Sequence, residues 1–189
     1  MSAVERELQR IAVELEEHGF AQTTFDRLGL DFDHEAAGRI SSTCENKSSG
    51  EEALKLTEHV PKDGMIIVQD KACIRDGQAF VRPVVDVLFR DSPRARASWS
   101  LYGLNRYETG GFFGEHQDST GATVLIVSVT GRRELTVGVG SAAQRVAMAP
   151  GDITLLDAQH DPVHTVRCTE GPSISAVLDV PDMLRSSYR

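Results

Sequence analysis

The chain has 189 residues, a length that suits one domain with room for an extension. Hydrophobic residues make up 40% and charged residues 25%, so a core can close without disulfides or a structural metal. The net charge of −8 argues against a nucleic-acid backbone as the main partner.

The N-terminus, MSAVERELQR, has no apolar stretch of signal-peptide type, and runs such as residues 124–127 are far too short to span a bilayer. Cys44, Cys73 and Cys168 are widely spaced with no CxxC pair, which predicts free thiols in a reducing compartment. The expectation is a cytoplasmic protein with no membrane partner.

Residues 4–18 place Val4, Leu8, Ile11, Ala12 and Leu15 at helical spacing, with Ser2 as N-cap and Gly19 just past the end. Residues 20–50 read as irregular, and the polar stretch 41–50, SSTCENKSSG, as an exposed loop that could serve as a lid. A short helix is expected within 50–59 and a strand over 65–69. Residues 78–89 are ambiguous because Pro83 interrupts a helical pattern.

Eight short β-type segments follow: 97–107, 112–116, 122–130, 134–139, 144–148, 153–156, 163–168 and 173–180. They leave no room for crossover helices, so the pairing is antiparallel, and a two-sheet jelly roll buries them most economically. The predicted class is mainly β with N-terminal helices, a double-stranded β-helix. No linker divides the chain, so 1–189 reads as a single domain, with 1–96 an extension of helices and strands and 97–180 the jelly-roll core.

Three side chains in that core suggest chemistry: His116 and Asp118 in GEHQDS, and His164 in DPVHTV. Two imidazoles and one carboxylate can occupy one face of an octahedral Fe(II) and leave three positions open for a co-substrate, O2 and water. His116 and Asp118 stand two apart, so both turn to one side of an extended chain.

The surrounding stretches occur in a familiar order. NRYETGGFFGEHQDS (105–119), TVLIVSVTGRREL (123–135), APGDITLLD (149–157) and HTVRCTEGPSIS (164–175) resemble the core of the Fe(II)- and 2-oxoglutarate-dependent oxygenase superfamily, in particular its prolyl-hydroxylase-like branch. The first 95 residues carry no comparable match.

The resemblance implies that His116, Asp118 and His164 ligate iron and serve catalysis, with 2-oxoglutarate and O2 as co-substrates. It implies further that Tyr107, Ser173 and Ser175 stand at the 2-oxoglutarate site. The reaction implied is hydroxylation or desaturation of a C–H bond in a small molecule or a peptide side chain.

One position departs from the family pattern: Ser173 stands where a cation is expected to meet the co-substrate carboxylate. Arg132, Arg133 and Arg145 are the replacements within reach, whereas Arg106 and Arg167 alternate with Tyr107 and His164 and belong to the other face. His160 is an alternative distal ligand, though the HxV step favours His164. His18, His34 and His59 read as surface residues. Two other readings stay open: a non-catalytic metal-binding sensor on the same fold, and a cupin-like metalloenzyme.

Overall fold

The structure is a computed structural model and describes residues 1–118, 121–157 and 159–181. Residues 182–189 of the expected single domain, and Ser119 at the end of the GEHQDS segment, lie outside the described residues. In chain order the elements are α1 (Ala3–His18), β1 (Phe20–Thr24), α2 (His34–Cys44), α3 (Glu51–Leu56), β2 (Lys62–Val68), α4 (Lys71–Leu88), α5 (Pro93–Ser98), β3 (Ser100–His116), β4 (Ala122–Val137), β5 (Gln144–Met148), β6 (Asp152–Leu156) and β7 (His164–Pro181).

Helix α1 begins and ends as its sequence requires. Ser2 and Glu5 form a reciprocal capping box, with the Ser2 hydroxyl accepting from the Glu5 N–H and the Glu5 carboxylate accepting from the Ser2 N–H. Gly19, at φ 75°, closes the helix by donating its N–H to the Leu15 carbonyl.

The expected irregular region is corrected in two places: 20–24 is a strand paired with β6, and 34–44 is a helix. Asp33 caps α2 by accepting from the Ala36 N–H, and the apolar positions Ala37, Ile40 and Cys44 give the helix a buried stripe. Only 45–50 of the proposed lid is therefore loop. Arg106 pins its start by donating to the carbonyls of Cys44, at 2.8 Å, and Glu45.

The ambiguous segment 78–89 belongs to α4, whose N-cap Asp70 accepts from the N–H groups of Ala72 and Cys73. Pro83 lies on the exposed face of this helix, where water reaches the carbonyl that its missing N–H leaves unbonded.

The strands pair antiparallel throughout, in the order β1-β6-β4-β7-β3-β2 with β5 on β4. Six of the eight predicted segments join pairwise into the long strands β3, β4 and β7. Register shifts at Tyr107/Phe112 and across Ser128/Thr130/Arg132 mark where these strands pass from one layer of the jelly roll to the other. The first half of β4 pairs with β6 and the second half of β7; its second half pairs with β5 and the first half of β7.

Alternation along the strands divides the apolar residues between two cores. Leu125, Val127, Val129, Ile174, Ala176, Leu178 and Val180 meet Leu8, Ile40, Val81 and Leu88 of the helices. Val124, Ile126, Leu135, Met148 and Val166 fill the space between the two sheet layers. Both faces of the second half of β7 are thus covered, yet its inward positions are Ser173, Ser175, Val177 and Asp179. Polar residues on an interior face are a departure from packing logic, and they line up with the cavity described below.

Gly131, at φ 66°, marks the bend of β4, and an added Cβ would lie 2.6 Å from the Ser173 Cα and 2.7 Å from two backbone carbonyl oxygens. Gly131→Ala should cost about 2 kcal/mol or more in urea unfolding, because neither the backbone angle nor the neighbouring backbone can yield cheaply. Gly38→Ala, in the exposed face of α2 with nothing near its Cβ position, should instead gain about 0.5–1 kcal/mol. A neutral Gly131→Ala would contradict the tight bend.

Candidate active site

His116 ends β3 and His164 begins β7, and the two are cross-strand partners in the β3–β7 ladder. That register brings their rings to 4.1 Å between centroids, tilted by 54°. Each Nδ1 sits beside a backbone carbonyl two residues earlier, Gly114 O at 2.8 Å and Pro162 O at 2.9 Å. A carbonyl can only accept, so both imidazoles carry a proton on Nδ1 and turn Nε2 toward Asp118.

Asp118 faces both Nε2 atoms, with one carboxylate oxygen 3.8 Å from His116 and the other 3.6 Å from His164. Its own N–H donates to Asp161 at 3.1 Å, and Gln117 donates to the Asp161 carbonyl, so the residues past the strand end are anchored. One donor atom from each of His116, Asp118 and His164 lies within 4.8 Å of the others. Oriented second nitrogens and a half-buried carboxylate suit a divalent first-row ion, and the set contains no thiolate.

His160 is elsewhere: its ring is hydrogen-bonded to Asp157 at 2.5 Å and half-exposed, so His164 is the histidine that completes the cluster.

The electrostatics follow from burial. His116 is pushed down to about 4, chiefly by desolvation and then by His164, so its ring is neutral at neutral pH. Burial also raises the Asp118 carboxyl above its ordinary range, with His164 opposing.

The cluster opens into a cavity of about 430 Å³ between the two sheet layers. Arg133 lines it and is 3% exposed. Its Nη2 donates to Ser128 at 2.8 Å, its Nη1 has no hydrogen-bond partner, and no carboxylate forms an ion pair with it among the described residues. Desolvation holds this guanidinium well below its usual range, at about 10. Arg132 and Arg145 instead lie at the surface, paired with Glu170 and Glu134. Arg106 and Arg167 face away as expected, the latter over the Phe112 ring.

Tyr107 is buried in the cavity wall beside Asn105, and desolvation pushes its hydroxyl up to about 12. Ser175 lines the cavity; Ser173, one inward position nearer the bend, is fully buried beside Cys168 and does not. The three cysteines are free and buried, outside the histidine cluster.

The mouth is bordered by Leu56, Thr57 and His59 at and beyond the end of α3, and no residue of 41–50 lines the cavity. His59 is exposed, as its sequence suggests, but it stands at this rim. The sequence reading missed Tyr102, Asn105 and Asp179. The available signal was Asp179 at an even offset from Ser175 in an otherwise apolar strand.

No family model and no curated protein sequence matches this chain. Solved structures do. A prolyl hydroxylase from Trichoplax adhaerens, in complex with a hypoxia inducible factor oxygen degradation domain peptide fragment, has a TM-score of 0.64 at 10% identity, over 98% of this chain and 92% of that one. SnoN, a non-haem α-ketoglutarate-dependent epimerase from nogalamycin biosynthesis, has a TM-score of 0.56 at 16% identity, over 92% and 83% of the two chains. An oxidoreductase of the 2OG-Fe(II) oxygenase family from Burkholderia pseudomallei gives 0.52 at 15%, over 92% and 88%. At such identities the likeness establishes the fold, a jelly roll with N-terminal helices.

Between about pH 6.5 and 4 an unfolded chain takes up a proton that folded His116 refuses. The His116 contribution to stability is therefore complete above that window and lost as pH falls through it, by up to roughly 3 kcal/mol in the metal-free protein. Imidazole NMR at about pH 5 should find His116 neutral with its proton on Nδ1. Urea unfolding of wild type against His116→Gln should isolate the slope from that of Asp118, which runs the other way. Protonation of His116 near pH 6 would refute the assignment.

Proposed function

We propose that this chain is a 2-oxoglutarate-dependent Fe(II) oxygenase in which His116, Asp118 and His164 hold the metal and Arg133 anchors the co-substrate. The observation that carries the reading is the buried guanidinium of Arg133, with one free Nη1, in the same cavity as a metal-suited His-Asp-His cluster. An unpaired buried cation costs several kcal/mol unless an anion completes it. A dicarboxylic 2-oxo acid does so while its other end reaches the cluster.

Fe(II), when bound, would supply the oxygen-activating redox chemistry, with three positions left open by the triad. The protein's own groups do the rest. Gly114 O and Pro162 O hold the two imidazoles in the ligating tautomer, and Asp161 fixes the backbone at Asp118. Ser128 orients Arg133, and Ser175 and Tyr107 offer hydroxyls to the co-substrate. Ile67, Val124, Ile126 and Val177 keep that part of the cavity apolar and limit water. The overall reaction is oxidation of a C–H bond in a small molecule or a peptide side chain, coupled to conversion of 2-oxoglutarate and O2 into succinate and CO2. In this reading Arg133 takes the place of the cation that Ser173 lacks.

Two outcomes are expected. Arg133→Ala should weaken 2-oxoglutarate binding to the Mn(II)-loaded protein by about 2–5 kcal/mol in calorimetry, while Arg132→Ala and Arg145→Ala leave it unchanged. Asp118→Ala should lose metal binding and Fe(II)-dependent succinate formation yet unfold at a similar urea concentration, since it removes a ligand and not a core side chain. Unimpaired binding in Arg133→Ala would reject the anchor, and a metal-loaded protein that never turns over 2-oxoglutarate would reject the oxygenase.

A further inference from the structure

The cavity has two chemically different ends. Ser175, Val177 and Asp179 are successive inward positions of β7, so Asp179 stands roughly 13 Å along the wall from the Ser175 and Arg133 end. Tyr102 is beside it: β3 bulges between Leu101 and Gly103, which pair with Leu178 and Val177, and the Asp179 charge acts on the Tyr102 hydroxyl.

Neither polar group at this end has a partner within the protein among the described residues. Asp179 is half-buried in the cavity wall and makes no hydrogen bond or ion pair there, and the Tyr102 hydroxyl is shielded from solvent without a partner. Burial raises the Asp179 carboxyl, and Asp118 adds to the rise with no cation opposing. Glu52 of α3 adds a further negative charge near Tyr102. Arg133 is the single Arg or Lys among the described lining residues, and it belongs to the other end.

A hydroxyl group could donate one hydrogen bond to Asp179 but would leave its charge uncompensated in a partly desolvated site. A protonated amine supplies both the charge and three donors, enough for the carboxylate and for the Tyr102 oxygen as second acceptor. The Tyr102 ring offers an apolar surface of the kind that tolerates an ammonium group. We propose that this end of the cavity binds the ammonium group of a small aliphatic amine substrate, with Asp179 as counter-ion and Tyr102 as hydrogen-bond partner. The proposal rests on the oxygenase reading for what happens to the amine, though not for whether it binds.

The test uses two probes of equal length, n-hexylammonium and n-hexanol, titrated calorimetrically into the Mn(II)-loaded protein saturated with 2-oxoglutarate. The ammonium should bind at least about tenfold more tightly than the alcohol, and Tyr102→Phe should weaken it severalfold. Asp179→Asn should bring the two probes to within about threefold of each other, and Asp179→Ser serves if the amide variant misfolds. Equal binding of the two probes to wild type, no binding of the ammonium, or a preference retained in a folded Asp179 variant would overturn the proposal. Binding of 2-oxoglutarate is measured first and separately. Should it fail, the co-substrate reading falls, and the same two probes titrated without it still decide the role of Asp179.

Discussion

Strand β7 lies between β3 and β4 along nearly its whole length, and most of what the molecule can do depends on that ladder. Its first half sets His164 opposite His116; its second half sets Ser175 and Asp179 along the cavity wall. Since strand side chains alternate with period two, a slip of β7 by one residue would turn His164, Ser175 and Asp179 outward together. The helices hold that register from outside. Leu125, Val127, Ala176, Leu178 and Val180 cannot leave the helical core without exposing a row of apolar side chains.

The cavity is a place where folding and function pull in opposite directions. A fully covered sheet face would ordinarily be aliphatic, yet this one carries Arg133, Asp118 and Asp179 with little internal compensation. Arg133 and Asp179 stand at opposite ends and do not pair, so each remains available to an incoming ligand. The cavity thus carries a cation at one end and a carboxylate at the other, with a metal-suited cluster opening into the same space. The surrounding apolar walls strengthen each charge interaction by excluding water.

Much of the site could be read from residue order. The His-x-Asp pair and the distant His-x-Val singled out His116, Asp118 and His164, and the fold brings one donor atom from each within 4.8 Å of the others. The N-terminal half was less legible. Helix α2 and strand β1 were obscured by polar, small residues whose structure comes from packing: Ile40 and Cys44 against the helical core, and the β1 backbone against β6. Local propensity is a weak guide where tertiary contacts supply most of the stabilisation.

The sequence by itself determined the antiparallel class, the donor set and the lack of a cation at Ser173. Tertiary structure alone decided which of the candidate arginines faces the cavity. Arg132 and Arg133 are neighbours, so ordinary alternation sends one outward and one inward, and composition cannot say which. The register shifts around Gly131 settle the parity of β4: Arg132 goes to Glu170 at the surface and Arg133 into the cavity on Ser128. A bulge is a property of two paired strands and of the space between them, and the order of residues in one strand does not encode where the extra residue will be absorbed.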